Sequence, residues 1–166
     1  MPENTDILIL GIGNILLQDE GVGVRVIEYL QTQPVPPNVE LIDGGTAGFD
    51  LLDIISDRRA IILIDAIDAG HLPGTIVRFA PQDILPANSP QLSAHNIDFA
   101  QALKMAALLK CAPQNVVIFG IQPASIEPGL RLTDGIAPLV PKIASLVLDE
   151  LKTLLPPDRL LEPQQR

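Results

Sequence analysis

The feature that most constrains the fold is a run of five apolar residues at positions 60–64, which ends at Asp65. A strand that is apolar on both faces must be covered on both faces, which is typical of the middle of a parallel sheet. Short runs at 7–10, 39–42 and 116–119 predict three more strands of the same sheet. The central strand therefore indicates an α/β fold with helices on both faces of the sheet.

Helical patterns alternate with these strands, which predicts a three-layer α/β domain with a mostly parallel sheet. Residues 75–79 follow the strand at 60–64 too soon for a helical crossover. They therefore predict one antiparallel strand at the edge of the sheet. The helices are predicted over residues 24–30, 50–55, 97–109 and 136–155.

Length and composition are those of one domain with a core of aliphatic side chains. The chain has 166 residues, of which 47% are hydrophobic and only 3% aromatic. A chain of about this length can bury a sizeable core without disulfides. We expect one domain over residues 1–155, followed by a disordered tail over 156–166 that is rich in proline and glutamine.

The charge balance limits the possible partners. The net charge of −9 and the pI of about 4.5 argue against nucleic acids and anionic membranes as partners. The apolar run at 7–10 is too short for a signal peptide or a membrane span, so we expect a cytoplasmic protein. Since the chain is an acidic single domain, we also expect it to be monomeric. The single cysteine, Cys111, excludes an intramolecular disulfide and a cysteine-rich metal site.

The first strand runs into a glycine-rich loop that begins Gly11-Ile12-Gly13. A dinucleotide-binding loop has a third glycine three residues later, where this chain has Leu16. The loop then places Asp19 and Glu20 before the next helix, where their charge would repel a phosphate. Capping of that helix is the simplest alternative role for the two carboxylates.

Polar residues follow the predicted strands where sites form in open parallel sheets, beyond the carboxyl ends. Glu20 follows the first strand, Asp43 the second and Asp65 the third, and His95 precedes a predicted helix. Two carboxylates and an imidazole can hold a divalent metal and leave positions open for substrate or water. A histidine before a helix is also a common capping or surface residue, and His71 lies in a turn where we expect it to be solvated.

Five segments in order resemble those of the hydrogenase maturation endopeptidases. They are residues 8–25, residues 43–48, residues 61–67, residues 93–95, and the stretch 120–133 with its Gly-x-x-Pro and Leu-Thr pairs. The resemblance extends over about residues 7–150, which is nearly the whole predicted domain.

This resemblance implies an α/β/α sandwich around a twisted sheet, and an endopeptidase that removes the C-terminal extension of a nickel–iron hydrogenase large-subunit precursor. It implies that Glu20, Asp65 and His95 bind nickel, which the precursor supplies and which other divalent ions could replace. The segment around Asp43 matches one associated with substrate recognition and cleavage, so Asp43 is the candidate base.

Three other functions stay open at this point. The same ligands could carry nickel or check the substrate while hydrolysis happens elsewhere. A nucleotide-binding domain is the second, although Leu16 and the acidic pair speak against it. The third is a family member that has lost activity and serves as a scaffold, against which the presence of all three ligand residues argues.

Overall fold

A five-stranded sheet forms the middle layer of the protein. The structure, a computed structural model, describes residues 6–45, 51–84 and 94–155, with the backbone alone at 84 and at 94–96. The strands are β1 (Ile7–Ile12), β2 (Val39–Gly45), β3 (Ala60–Ala66), β4 (Ile76–Phe79) and β5 (Asn115–Ile121). Their order is β2-β1-β3-β5-β4, with β4 antiparallel to β5 and the other pairs parallel. The antiparallel edge strand predicted from the sequence is confirmed.

Helices cover both faces of the sheet, which confirms the predicted three-layer α/β/α architecture. The helices are α1 (Val22–Leu30), α2 (Leu51–Ile55), α3 (Ala94–Leu108) and α4 (Val140–Leu154). On one face α1 and α4 pack on one set of strand residues, and on the other face α2 and α3 pack on the alternate set. In β3, for example, Ile62 and Ile64 face α1 and α4, while Ile61 and Leu63 face α2 and α3.

All seven residues of β3 are buried, as the apolar run predicted. The element boundaries differ from the predictions mainly at helix starts. A 3-10 turn, Gln18–Gly21, precedes α1, and another, Ala137–Leu139, precedes α4. No helix in the described part of the chain is long and apolar enough to cross a membrane. The expected tail over 156–166 lies outside the described residues, and the domain division stays a prediction.

The start of α1 lies in close contact with the strand ends. A Cβ atom at Gly23 would lie 2.2 Å from the carbonyl oxygen of Ile64 and 2.6 Å from that of Ile12. Real Cβ atoms do not approach oxygen this closely, so any other residue at position 23 would push α1 away from the sheet. This glycine therefore places the first turn of α1 directly above β1 and β3.

An ion pair joins the edge strand to α4. The Arg78 guanidinium donates to both carboxylate oxygens of Glu150, at 2.7 and 2.8 Å. The hydrogen bond from Arg78 lowers the pKa of Glu150. Because Arg78 is 56% exposed, water screens the pair, and its contribution to stability is no more than about 1 kcal/mol.

We expect Glu150→Gln to lower the free energy of unfolding by up to about 1 kcal/mol at neutral pH. Since the pKa of Glu150 is lower in the folded than in the unfolded chain, this contribution is present above the unfolded pKa and is lost as pH falls through the folded pKa. Urea unfolding at several pH values measures it. Asp149→Asn, which removes a largely exposed pair with Lys152, is the control and should change little. An equal loss in both variants would contradict the assignment.

Candidate active site at the carboxyl ends of the strands

The sheet brings the strand-end residues of the first half of the chain to one edge. In the register, Asp43 of β2 pairs with Gly11 of β1, and Gly11 pairs on its other side with Ile64 of β3. Asp65 follows Ile64, so the backbones at Asp43 and Asp65 are about 10 Å apart, the width of two strand spacings. The strand order therefore brings Asp43 and Asp65 to the same end of the sheet, the carboxyl ends of its parallel strands.

The backbone of Glu20 and the side chain of Asp65 both lie against Gly13, the second glycine of the loop. Gly13 has a φ of +132°, and a Cβ atom there would lie 1.9 Å from the carbonyl oxygen of Glu20 and 3.6 Å from Oδ1 of Asp65. Only glycine fits this position, because a side chain would need the space that the Glu20 backbone occupies. The glycine loop thus packs against a turn that carries a carboxylate. In a dinucleotide-binding protein the corresponding loop would bind phosphate.

Asp65 is a fully buried carboxyl group, and neither of its oxygens has a hydrogen-bond partner among the residues that the structure describes. Burial raises the pKa of Asp65 well above its usual value. The Ala66 amide offsets part of this rise without reaching hydrogen-bond geometry, and the charge of Glu20 adds to it. A carboxylate in such a position is costly unless a cation compensates it. Asp65 therefore has the environment expected of a metal ligand.

His95 lies in the first turn of α3, and α3 packs on the same face of the sheet as Ile61 and Leu63. Alternation along β3 directs Asp65 to that face too. The His95 side chain lies outside the described part of the structure. Among the side chains that are described, no three His, Cys, Asp or Glu residues form a group that could hold a metal ion. The set Glu20, Asp65 and His95 stays a prediction.

Asp43 is exposed, and its Oδ1 accepts a hydrogen bond of 2.9 Å from the amide of Gly45. Leu41, two residues earlier, packs with the α1 and α4 layer, and alternation directs Asp43 to that same face. Asp65 points to the other face. The structure therefore places the two carboxylates at one edge but not side by side, and the role of Asp43 as a base stays a prediction.

Asp19 has a different role from Glu20, which the sequence could not show. Asp19 is fully buried, and Oδ2 accepts from the amides of Ala124 at 2.9 Å and Ser125 at 3.1 Å. Oδ1 accepts from the amide of Thr133 at 2.8 Å, and the Thr133 hydroxyl lies within 3.0 Å of both oxygens. The helix-capping alternative is wrong for Asp19, since its side chain makes no cap bond to α1.

Gln122 is a second buried polar residue that sequence reasoning missed. Its Oε1 accepts from the amides of Ala69 at 2.9 Å and His71 at 3.2 Å, and its Nε2 donates to Asp68 at 3.1 Å. Gln122 thereby closes the loop between β3 and β4, in which the His71 side chain is exposed as expected. Its place directly after β5, before Pro123, was the only signal in the sequence.

Cys111 lies at the amino ends of the parallel strands, shortly before β5 begins. Its sulfur contacts the hydroxyl of Ser56 at 3.4 Å, and its carbonyl accepts from the amide of Asp57 at 2.8 Å. Since sites form beyond the carboxyl ends of parallel strands, this position separates the only cysteine of the chain from Glu20 and Asp65. The thiol is half-buried and has a structural environment.

We expect Asp65→Asn to raise the free energy of unfolding at neutral pH by about 1 kcal/mol or more, because it removes a buried charge without partners. The folded-state pKa of Asp65 lies above the unfolded one, so the penalty is absent below the unfolded pKa and grows as pH rises towards the folded pKa. The gain should therefore shrink in acid.

Urea unfolding in the presence of a chelator, at neutral pH and near pH ~3, measures this difference. Asp134→Asn, at an exposed aspartate, is the matched control and should leave stability unchanged at both pH values. A loss of stability in Asp65→Asn at neutral pH would show that the carboxylate is compensated within the fold.

Comparison with known proteins shows similarity to one family throughout. The family model described as hydrogenase maturation protease matches residues 24–150. The hydrogenase 2 maturation protease of Escherichia coli (strain K12) is 34% identical over 148 residues, which cover 88% of this chain and 90% of that protein. The hydrogenase expression/formation protein HupD of Rhodobacter capsulatus is 40% identical over 124 residues, or 73% of this chain. The chain spans only 59% of that relative's length.

The fold agrees with this similarity. The structure of the hydrogenase maturating endopeptidase HybD from E. coli superposes with a TM-score of 0.81 at 33% identity, over 89% of this chain and 92% of that one. The [NiFe] hydrogenase maturation protease HybD from Thermococcus kodakarensis gives a TM-score of 0.71 at 27% identity, over 87% and 97%. The family-model match over residues 24–150 includes Asp65 and the strands β2 to β5.

Proposed function

Because the chain belongs to the hydrogenase maturation protease family, we propose that it is an endopeptidase that removes the C-terminal extension of a nickel–iron hydrogenase large-subunit precursor. We propose that it acts after nickel has been inserted, and that it recognises the inserted metal. The nickel in this scheme belongs to the substrate and is not a resident cofactor.

The observation that carries the proposal is the buried Asp65 carboxyl group at the carboxyl ends of the strands, which has no hydrogen-bond partner among the described residues. Its Oδ1 and the backbone carbonyl of Glu20 both lie against Gly13. A fold keeps such a group, at a cost in stability, when function requires it. A divalent cation held by the precursor would compensate the charge of both carboxylates. The enzyme would then bind a metal-loaded precursor in preference to an empty one.

Oxygen and nitrogen ligands suit nickel as well as zinc, iron and manganese. We propose that Glu20, Asp65 and His95 complete the coordination of the metal that the precursor presents. Glu20 comes from the turn before α1, Asp65 from the end of β3 and His95 from the first turn of α3. Three different elements must therefore keep their places for the metal to be held.

Docking through the metal would bring the scissile peptide bond to the same edge of the sheet. A nearby metal can polarise a carbonyl or activate a water molecule, and either effect would assist hydrolysis. Asp43 is the proposed base, since its carboxylate is exposed at this edge and could accept a proton from water. Its hydrogen bond from the amide of Gly45 would hold the carboxylate in one orientation.

We also propose that the protein works as a monomer in the cytoplasm, as its sequence led us to expect. The precursor would be its macromolecular partner. A metal-checking module without hydrolytic activity is the alternative, and the experiment below separates the two.

Purified protein should shorten the nickel-loaded precursor by its C-terminal extension and leave the nickel-free precursor intact. Intact mass measured before and after incubation detects the cleavage. Glu20→Gln and His95→Ala should abolish processing, because each removes one of three ligands. Glu28→Gln, at an exposed carboxylate of α1, is the matched control and should cleave normally.

Each other outcome has a definite meaning. Normal cleavage by both ligand variants would overturn the assignment of Glu20 and His95. Binding of the loaded precursor without any cleavage would favour the metal-checking module. Equal cleavage of loaded and empty precursor would show that nickel is not what the enzyme recognises.

Asp43→Asn should slow cleavage by about 100-fold or more while leaving the affinity for nickel-loaded precursor unchanged, as expected for the loss of a general base. Single-turnover rates and equilibrium binding of a cleavage-resistant precursor measure the two effects separately. A loss of binding without a loss of the single-turnover rate would place Asp43 in the recognition surface instead.

A further inference from the structure

We propose that Asp19 is a positioning residue, which holds the turn that presents Glu20 by anchoring it to the segment after β5. The inference rests on the proposed function to the extent that Glu20 is a metal ligand. It assigns separate tasks to two adjacent acidic residues, one that faces the metal and one that fixes the backbone of the other.

The hydrogen bonds of Asp19 leave it no capacity to bind metal. An ionised carboxylate has about four acceptor positions. Asp19 accepts from the amides of Ala124 and Ser125 and from both the amide and the hydroxyl of Thr133. Four donors therefore saturate a side chain that is fully buried. A metal could reach it only by displacing these bonds, whereas Asp65 has none to displace within the described part of the chain.

The turn that carries Glu20 is also held through its backbone. The amide of Gln18 donates to the carbonyl of Gly129 at 3.1 Å, and the amide of Asp19 donates to that of Ser125 at 3.1 Å. In return, the amide of Gly129 donates to the carbonyl of Leu16 at 2.9 Å. The loop before α1 and the segment after β5 are thus joined by an isolated parallel bridge at Leu17 and Gly129, and the Asp19 side chain adds a second attachment beside it.

Gln18 shows why the turn needs an external anchor. Its φ is +47°, in the left-handed region that residues with a side chain avoid. Such a conformation persists where surrounding contacts impose it, and the contacts here are those to residues 125–133. Without the Asp19 carboxylate, Gln18 would be free to relax and the turn would change its path.

Any such change would move Glu20 relative to Asp65. The Glu20 carbonyl is packed against Gly13 on one side, and its amide donates to Leu17 within the turn. Glu20 is therefore placed between Gly13 and the anchored turn. Because a metal ligand must be held to within a fraction of an ångström, loosening the turn should weaken metal binding even though Asp19 touches no metal.

The test uses the full chain, three variants at Asp19 and Thr133, and one control variant. Asp19→Asn keeps the size of the side chain but turns an amide donor towards one of the converging donors. Thr133→Val removes only the hydroxyl bonds, and Thr133→Ser restores a hydroxyl. Ile7→Val, at the buried and opposite end of β1, is a control for general destabilisation.

We expect Asp19→Asn to bind nickel about 10- to 100-fold more weakly in calorimetric titration of the protein alone. Thr133→Val should have a smaller effect, which Thr133→Ser should largely reverse. Hydrogen exchange should become about tenfold faster at the amides of residues 18–21 in Asp19→Asn, while the amides of β3 and α4 stay protected. With nickel-loaded precursor, KM should rise more than kcat falls.

Wild-type nickel affinity and wild-type exchange in Asp19→Asn would overturn the proposal. So would the same loss of affinity in Ile7→Val, since it would mean that general destabilisation is the cause. If wild-type protein bound no nickel while exchange at residues 18–21 still rose in Asp19→Asn, the anchoring of the turn would be supported and the ligand assignment under the proposed function would fail.

Discussion

The arrangement of the site depends on the close backbone contact between Gly23 and the ends of β1 and β3. With no side chain at this position, α1 begins directly on the carbonyl oxygens of Ile12 and Ile64. The turn before the helix then has nowhere to lie except over the end of β3, beside Asp65. The glycine pattern that elsewhere lets a backbone approach pyrophosphate here lets a helix bring a carboxylate to another strand.

Two buried carboxylates, Asp19 in the turn before α1 and Asp65 at the end of β3, show the balance between stability and function. Asp19 has four donors, so its burial adds a network that joins distant parts of the chain. Asp65 finds no hydrogen-bond partner in the described ranges 6–45, 51–84 and 94–155, and it carries the cost of desolvation. The fold stabilises the residue that holds the site together, and it leaves unsatisfied the residue that we propose meets the substrate's metal.

The segment between β5 and α4 is hydrogen-bonded to the loops and the helix that carry the site residues. Gln122 at its start accepts a hydrogen bond from the loop after β3. Thr133 near its end donates one to Asp19, in the turn that follows β1. Arg25 of α1 donates to the carbonyl of Leu130 at 2.9 Å, which adds a third attachment. Side chains on loops can be held with the accuracy that metal coordination needs only when such contacts restrict the loops.

Much of the architecture follows from the sequence because it depends on local patterns. The apolar run of β3 determined the centre of the sheet. The connection from β3 to β4 is too short for a crossover, so β4 runs antiparallel to the other strands, although it pairs with β5 and not with β3. The acidic residues at strand ends were visible for the same reason. Their meeting at one edge follows from the parallel arrangement of β1, β2 and β3.

Only the tertiary structure decided which of two neighbouring acids is buried in a network. Asp19 and Glu20 are alike in chemistry and adjacent in sequence, and the donors that distinguish them come from 105 to 114 residues further along the chain. Neither the hydrogen bonds of Gln122 nor the lack of partners for Asp65 among the described residues could be predicted from the local sequence. A side chain's environment is made by residues distant in sequence, so local pattern can locate a strand end but not the partners that its side chain will find there.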